Sequence, residues 1–479
     1  MNTRGKRSDS SGVVFRDVEI DGVRVDLRVR GDRVEEIGVG LALTDARVVE
    51  GGGGGLLPGL HDHHLHLLAM GAALRSVACG PPEVGDLVGL GRALAGAGGR
   101  GWVRGNGYHE SVAGVLDRGV LDALVPDRPV RIQHRSGALW MLNSRALQEV
   151  SGALDESADV ERGADGVPNG RLWRYDARLR AALPDDPPDL GAVGARLAGY
   201  GITGVTDATP DLDDSAIALL SDAHRTGLVP QRITLLGAAT GQPLEAGFGV
   251  GPRKILLRDH DLPGYDELAA AIVHSHREGR AIAVHCVTRE SLLLTLAILQ
   301  DVGSIPGDRI EHAGVVPADV TETMADLGIP VITQPGFLWH RGDDYARDVA
   351  PDDLPCLYPH ATLLHAGIPV ALSSDAPYGP TDPWTVMRAA VHRTTRTGRT
   401  LGPADRVPPA TALAGYLSAP DSPGGEPRRL VPGTPADLCL LHVPLRQALH
   451  ELDSHLVRSV MIAGRFVAED LPATDTTTR

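Results

Sequence analysis

Residues 58–66 read Pro58-Gly59-Leu60-His61-Asp62-His63-His64-Leu65-His66, a Pro-Gly turn followed by a short strand. Side chains two residues apart on a strand point the same way, so His64 and His66 converge and Asp62 shares their face. Two imidazoles that converge at a strand end make half of a metal site. For this stretch alone, a histidine-rich loop that binds nothing is the alternative.

Eight short β-rich runs, separated by helical segments, begin with this stretch. They are Leu60–His66, Ile202–Asp207, Arg232–Leu236, Lys254–Leu257, Ala281–Cys286, Arg309–His312, Val331–Thr333 and Val370–Ser374. Eight strands alternating with helices favour a closed parallel barrel, the (β/α)8 or TIM-like α/β fold, over an open sheet.

The chain is longer than such a barrel requires, which is about 250 residues. We assign residues 58–420 to the barrel and place the surplus between its first and second strands. This insert, near residues 80–200, is predicted to form a cap over the barrel mouth. Residues 12–50 and 431–467 alternate apolar and polar positions, as half-buried strands do. The two ends, residues 1–57 and 421–479, are therefore predicted to build a small β-sandwich together.

Functional side chains of parallel barrels gather at the carboxyl ends of the strands. His285 and His312 lie at the ends of two further runs, Asp375 directly follows a third, and another run begins with Lys254. Each alone is more often an ordinary polar residue, but their joint placement favours a metal site. We call the set the strand-end cluster: His64, His66, Lys254, His285, His312 and Asp375.

Lysine is scarce in this chain. Only Lys6 and Lys254 are lysines among the 46 lysines and arginines. A buried lysine amine can lose its proton and become nucleophilic, whereas a guanidinium cannot. A lysine in a core-like stretch therefore indicates a chemical role for Lys254, with chance survival as the alternative.

The order of motifs along the chain is that of a known family. The matching residues are Pro58-Gly59, Asp62, His64, His66, Gly201-Ile202-Thr203, Val205, Asp207, Lys254, His285, Arg309-Ile310-Glu311-His312, Ser374-Asp375-Ala376-Pro377, Pro383-Trp384, Gly402-Pro403, Gly433-Thr434-Pro435-Ala436-Asp437-Leu438 and Ile462-Ala463-Gly464-Arg465. Over nearly its whole length the chain resembles the amidohydrolase superfamily. It is most similar to the family-3 branch of N-substituted formamide deformylase-like metal-dependent hydrolases.

The resemblance implies that His64 and His66 bind one divalent ion, and that His285 and His312 bind a second. It implies a carbamylated Lys254 between them and Asp375 completing the first site. The expected cofactor is one or two zinc ions, because zinc takes imidazole and carboxylate ligands and leaves a position for water. The implied reaction is hydrolysis of a non-peptide amide or formamide by a metal-activated hydroxide. Asp375 would pass the hydroxide's proton to the leaving amine.

Two other functions remain open. One is a deaminase of the same superfamily that acts on a cyclic amidine or aminopyrimidine-type substrate. Such deaminases usually have a glutamate three residues after the strand-five histidine, where this chain has Thr288, with Glu290 two positions later. The other is a non-catalytic barrel scaffold, and the intact ligand set argues against it.

The insert departs from the family pattern at two positions that bear on the substrate. Ala138 stands where relatives commonly have a histidine, and Arg174 where they tend to have an acidic residue. The substrate therefore cannot be taken from a relative. Candidates for substrate contact are Tyr108, His134, Arg135 and Arg174, with solvated or structural roles as the alternative.

A second His-x-His sequence, His274-Ser275-His276, lies in a segment with helical period. Side chains two positions apart on a helix diverge by about 200°, so this pair cannot converge on one ion. We predict no metal site there.

Composition limits the partners and the compartment. A formal charge of −15 disfavours nucleic acid and anionic membranes and weakly favours a neutral or cationic small-molecule substrate. No stretch approaches the about 18 apolar residues of a membrane helix, and no apolar region follows the basic N-terminal residues. The cysteines show no CxxC pairing, as expected in a reducing cytoplasm. Relatives are usually dimers, so a homodimer is one possible assembly.

Overall fold

The computed structural model describes residues 12–99, 101–183 and 188–469, apart from the side chains of residues 176 and 177. The chain divides into two compact units, one of residues 1–67 and 190–479 and the other of residues 68–189. The outer ends of the predicted terminal domain, and the basic N-terminal residues, lie outside the described residues.

Strands and helices alternate through most of the chain. The strands are β1 Gly12–Ile20, β2 Val23–Arg30, β3 Arg33–Gly38, β4 Ala46–Glu50, β5 Leu56–Pro58, β6 Leu60–Leu65, β7 Val77–Ala78, β8 Val103–Tyr108, β9 Val130–His134, β10 Leu139–Leu142, β11 Val160–Arg162, β12 Pro168–Trp173, β13 Ile202–Asp207, β14 Arg232–Leu235, β15 Phe248–Val250, β16 Arg253–Ile255, β17 Ile282–Cys286, β18 Arg309–His312, β19 Val331–Thr333, β20 Val370–Leu372, β21 Leu438–Leu441, β22 Val457–Ile462 and β23 Arg465–Glu469.

The helices between them are short to medium in length. They are α1 Leu67–Leu74, α2 Leu87–Ala95, α3 Glu110–Ala113, α4 Arg118–Leu124, α5 Ser144–Glu149, α6 Asp176–Ala182, α7 Leu190–Gly199, α8 Asp214–Arg225, α9 Tyr265–Arg277, α10 Arg289–Val302, α11 Thr321–Asp326, α12 Gly336–Asp348, α13 His360–His365, α14 Pro383–His392, α15 Pro409–Leu417 and α16 Leu445–Glu451. Within the described residues, none has the length and apolar character that crossing a membrane requires.

Two parallel sheets contain the runs predicted for the barrel. One has the strand order β15-β14-β13-β6 and the other β16-β17-β18-β19-β20. Backbone hydrogen bonds join the two sheets on both sides. The amide of Lys254 donates to the carbonyl of Leu236 at 3.3 Å, and the amide of Asp375 to the carbonyl of His64 at 2.8 Å. Each predicted run overlaps an observed strand.

Two short strands, β15 and β16, stand where one run, Lys254–Leu257, was predicted, and that run overlaps β16 alone. β15 pairs with β14, β16 pairs with β17, and Gly251 and Pro252 lie between them. Proline has no N–H to donate to a ladder, so regular pairing ends at Pro252. As a result Lys254 lies in the middle of the short strand β16.

Alternation along β17 determines which side chains face inward. Ile282, Val284 and Cys286 belong to one hydrophobic cluster with residues of α9 and α10. Ala283 and His285 therefore point to the opposite, inner side of the sheet. Cys286 is fully buried on the helix side.

Two four-stranded sheets are formed by the chain ends. Their strand orders are β3-β2-β1-β4 and β23-β22-β21-β5. Side chains from both sheets, including Phe15, Leu27, Leu438 and Met461, share one hydrophobic cluster. Strand β5 belongs to the second of these sheets, and β6, the strand that leads to His64 and His66, begins two residues after β5 ends.

The unit of residues 68–189 has its own sheet and its own core. The strand order is β11-β12-β10-β9-β8-β7, with β7, β8 and β9 parallel and the others antiparallel. Its main cluster includes Tyr108, Leu121 and Ile132. Buried Asn143 caps α5 and donates to the carbonyls of Val125 and Arg128.

Candidate metal centre

His64, His66 and Asp375 lie close enough together to hold one metal ion. One ligand atom from each falls within 4.8 Å of the others. Asp375 Oδ1 is 3.3 Å from His66 Nε2 and 3.7 Å from His64 Nε2. The imidazoles come from the end of β6 and the carboxylate from the residues after β20, which the backbone bond between Asp375 and His64 holds side by side.

His285 and His312 extend this group. The ring centroid of His312 lies 4.3 Å from that of His285 and 4.7 Å from that of His64. Asp375 Oδ2 is 3.9 Å from His312 Nδ1. The structure thus brings the four predicted imidazoles and the predicted carboxylate together.

His312 reaches the group through an unusual backbone conformation. Ile310 faces the helix-side cluster, and regular alternation would point His312 the same way. Instead His312 has φ 72°, in the left-handed region, and its ring contacts His285. Asp375 has φ 51°. Non-glycine residues in this region store about 1–3 kcal/mol of strain each, so strain is concentrated at two residues of the strand-end cluster.

Lys254 is buried among these groups. Its side-chain nitrogen has no hydrogen-bond partner. Burial lowers the pKa of Lys254, while the nearby carboxylates of Glu311 and Asp375 oppose that shift. The charge of Lys254 in turn helps to lower the pKa of His64, His285 and His312. A lowered amine pKa favours the nucleophilic form that carbamylation requires.

Three imidazoles of the strand-end cluster, those of His64, His285 and His312, have lowered pKa values and are neutral at neutral pH. Burial lowers the pKa of His285 to about 3. It also lowers the pKa of His64 and of His312 well below the usual value. Neutral imidazole is the form that binds metal ions, so these side chains are ready to coordinate without losing a proton first.

The residues present fit a divalent metal ion. Asp375 Oδ1 and Lys254 Nζ are both buried without a hydrogen-bond partner. Such atoms are costly inside a protein unless something else satisfies them. Oxygen and imidazole nitrogen donors suit zinc and the other borderline divalent ions. A bound cation would give the Asp375 oxygen the partner it lacks.

Side chains behind the imidazoles fix their orientation, and the sequence analysis assigned none of them a role. Glu311 Oε2 accepts a hydrogen bond from His64 Nδ1. Gln334 Oε1 accepts one from His312 Nδ1 at 2.9 Å, and Thr209 Oγ1 shares one with His66 Nδ1 at 3.1 Å. Glu311 lies two residues after Arg309, on the inner face of β18, beside His285 in register.

Asp62 connects the two strands that carry the first ligands. Its Oδ1 accepts from the backbone amides of His64 and Ser374, both at 3.2 Å. Burial raises the pKa of Asp62 to about 7. Asp62 therefore has a structural role, although it shares the face of His64 and His66.

The four candidates for substrate contact all lie in the unit of residues 68–189. The Tyr108 side chain is buried there, and its hydroxyl donates to the carbonyl of Gly114 at 2.8 Å. His134 is hydrogen bonded to Glu110 and Ser136, and exposed Arg174 is paired with Asp159. These contacts agree with the structural alternative. The assignment of these three residues and Arg135 to substrate contact stays a prediction.

The second His-x-His sequence lies on helix α9, as its period predicted. His276 pairs with buried Asp308 at 3.0 Å, while His274 is exposed. The two rings serve different neighbours, and among the described residues they belong to no group of potential metal ligands.

Sequence comparisons identify relatives across most of the chain. The model of the amidohydrolase family matches residues 47–468. N-substituted formamide deformylase of Arthrobacter pascens is 26% identical over 484 residues, covering 86% of this chain and 89% of that protein. Putative amidohydrolase YtcJ of Bacillus subtilis (strain 168) is 26% identical over 393 residues, covering 71% of this chain and 73% of its own length.

Solved structures show the same fold. An uncharacterized metal-dependent hydrolase from Pyrococcus horikoshii OT3 has a TM-score of 0.70 at 20% identity, covering 90% of this chain and 97% of that chain. N-isopropylammelide isopropylaminohydrolase from Burkholderia multivorans ATCC 17616 has a TM-score of 0.52 at 18% identity, covering 96% of this chain and 98% of that chain. The fold is therefore TIM-barrel-like α/β.

Proposed function

Because the chain belongs to the amidohydrolase family, and is thus a hydrolase of carbon–nitrogen bonds other than peptide bonds, we propose that it cleaves a small non-peptide amide or formamide. The observation that carries the proposal is the group of His64, His66 and Asp375, extended by the neighbouring rings of His312 and His285, with Asp375 Oδ1 buried and without a hydrogen bond. The similarity to the N-substituted formamide deformylase of Arthrobacter pascens, at 26% identity, supports including formamides among the compounds to be tested.

The strand-end cluster would hold one or two divalent ions, most simply zinc. His64, His66 and Asp375 would bind the first ion, and His285 and His312 the second, with Lys254 as a carbamate between them. A bound ion supplies a Lewis acid for the scissile carbonyl and acidifies water near neutral pH. The buried, unpaired Lys254 amine, with its lowered pKa, supports the carbamate.

The chain's own residues provide the proton transfer. We assign Asp375 as the group that takes a proton from the attacking water and delivers it to the leaving nitrogen. With a metal ion on Oδ1, the second carboxylate oxygen, Oδ2, would be the atom that accepts the proton; it lies 3.9 Å from His312 Nδ1. The left-handed backbone at Asp375 and its hydrogen bond to the carbonyl of His64 hold the carboxylate near the imidazoles.

The arrangement of domains is part of the proposal. The two parallel sheets would close into one (β/α)8 barrel within residues 58–420, interrupted by the insert. The two terminal sheets would form a β-sandwich from residues 1–57 and 421–479, which their shared hydrophobic cluster supports. We propose a cytoplasmic enzyme that acts on a small molecule, as a homodimer.

The test is a substrate screen with zinc-loaded protein. N-formyl, N-acyl, cyclic-amide and aminopyrimidine compounds are incubated with the enzyme, and amine, acid and ammonia are measured. We expect amine and formate or acid from the first two groups, with no turnover after the metal is removed. Ammonia from aminopyrimidines alone would instead favour a deaminase, and metal-independent turnover would contradict the proposed use of the cluster.

A further inference from the structure

We propose that Glu311, held by Arg309, is a positioning residue that fixes His64 in the tautomer and orientation needed to bind metal. The inference rests on the proposed function, because it concerns a ligand of the proposed metal site. It assigns a role to a buried ion pair that the reaction itself does not use.

The contacts form a chain from β18 to β6. Arg309 Nε donates to Glu311 Oε1 at 2.6 Å, and Glu311 Oε2 accepts from His64 Nδ1. The side chains of Arg309, Glu311 and His64 are 1%, 0% and 1% exposed. Arg309 and Glu311 are two residues apart on one strand, so both point to the inner side.

This chain of contacts decides which nitrogen of His64 carries the proton. An ionised carboxylate can only accept hydrogen bonds, so Glu311 holds the proton on His64 Nδ1. The lone pair is then on Nε2, the nitrogen that lies 3.7 Å from Asp375 Oδ1. A hydrogen-bond acceptor at the ring nitrogen that does not bind the metal sets the orientation of a metal-binding histidine and raises its basicity.

Arg309 is needed because a carboxylate buried without a cation is strongly disfavoured. Its guanidinium occupies Glu311 Oε1 and leaves Oε2 for His64. At Nδ1, His66 and His312 have neutral hydrogen-bond partners, Thr209 and Gln334. Among the hydrogen bonds described for these three rings, the one to His64 alone involves a charged acceptor. Loss of the charge on Glu311 should therefore affect metal binding more than loss of either neutral partner.

The substitution Glu311→Gln tests the tautomer directly. A glutamine has one acceptor oxygen, and both Arg309 Nε and His64 Nδ1–H require one. If the oxygen serves Arg309, the amide NH2 faces Nδ1 and drives the proton to Nε2, which removes the lone pair for metal. We expect Co²⁺ affinity, measured against a competing chelator, to fall about 10–100-fold. The visible absorption of bound Co²⁺, which reports its coordination, should change as well.

Asp308→Asn is the matched control. Asp308 is the residue before Arg309, is equally buried, and pairs with a histidine, His276, at 3.0 Å. That pair joins α9 to the residue before β18, whereas His312 is the last residue of this strand. The control should lower the unfolding temperature while leaving Co²⁺ affinity and absorption unchanged, which separates a general loss of stability from loss of orientation.

If Glu311→Gln does not fold, the double variant Arg309→Met with Glu311→Leu tests whether Glu311 positions His64. Replacing both members of a buried ion pair by apolar groups is often neutral for stability. His64 then has no partner at Nδ1, and we expect the same loss of Co²⁺ affinity. Folded variants that bind Co²⁺ within twofold of wild type would overturn this inference alone. A wild-type protein that binds no Co²⁺ would overturn the proposed function itself.

Discussion

The Asp375 carboxylate lies beside two imidazoles and has one oxygen without a hydrogen bond. Its Oδ1 lies within 3.7 Å of two imidazole nitrogens, yet it has no hydrogen bond of its own. The left-handed backbone keeps the carboxylate in this position. A residue held under strain with an unsatisfied oxygen is typical of a functional site.

The substitution Asp375→Asn should separate binding from catalysis. The asparagine keeps the size of the side chain and leaves four imidazoles for the metal, but it cannot take up a proton. We expect metal content to remain and kcat to fall about 10²–10⁴-fold, the usual contribution of a general acid–base group. Metal analysis and steady-state kinetics on a hydrolysed substrate measure both. Turnover close to wild type would rule out the assigned role.

At the residue level, strand-end positions predicted His64, His66, His285 and Asp375 because the ends of parallel strands meet at one edge. His312 was predicted by the same rule, although its inward direction depends on a left-handed φ that no sequence pattern specified. Glu311 was missed because its partner, His64, is 247 positions away along the chain. Local spacing carries no information on such a contact.

At the level of elements, helix α7 shows how tightly the segments around the barrel-like sheets are packed. Gly194 lies in the middle of α7, and a Cβ placed there would be 1.9 Å from the backbone oxygen of Leu228. Helix propensity alone favours alanine over glycine by about 1 kcal/mol. At this position the steric contact must dominate.

We therefore predict that Gly194→Ala destabilises the protein by about 1–3 kcal/mol, as overpacking usually does. Gly199→Ala, in the same helix, is the control because nothing lies within 4 Å of its added Cβ. Urea unfolding of both variants provides the measurement. Equal stability of the two variants would show that α7 and the segment at Leu228 are not in this contact.

The strands themselves were largely predictable, because buried parallel strands appear as short apolar runs between helices. The break at Gly251 and Pro252 was not predicted, although proline is the residue that ends pairing there. The bonds that join the two parallel sheets, such as Lys254 to Leu236, involve the tertiary arrangement of separate elements. The apolar and polar pattern of one segment does not specify hydrogen bonds between separate elements.

At the scale of the whole molecule, buried histidines make stability depend on pH. Burial lowers the pKa of His285 to about 3 and that of His360 to about 4, whereas an unfolded histidine titrates near 6.5. Below pH 6.5 the unfolded chain binds protons that the folded chain excludes. Stability must then fall with falling pH, by about 1.4 kcal/mol per pH unit for each such imidazole.

Asp62 acts in the opposite direction, because its raised pKa stabilises the folded state at low pH and this contribution is lost as pH rises to about 7. Burial also raises the pKa of Asp382, but the buried imidazoles outnumber these two carboxyls, so we expect the free energy of unfolding of metal-free protein to decrease from about pH 6.5 to about pH 5. Denaturant titrations at each pH measure it. In the His360→Gln variant, the free energy of unfolding should depend less steeply on pH, because one proton fewer is taken up on unfolding. A free energy of unfolding that rises on acidification would contradict the burial of neutral histidines.

The central claim is that distant segments build one metal centre, and metal stoichiometry tests it most directly. Protein loaded with Zn²⁺, freed of excess metal and examined by native mass spectrometry, should carry one or two ions per chain. The double variant His64→Asn with His66→Asn should lose at least one of them while remaining folded. A wild-type chain without stoichiometric zinc, or a folded double variant that keeps every ion, would contradict the account.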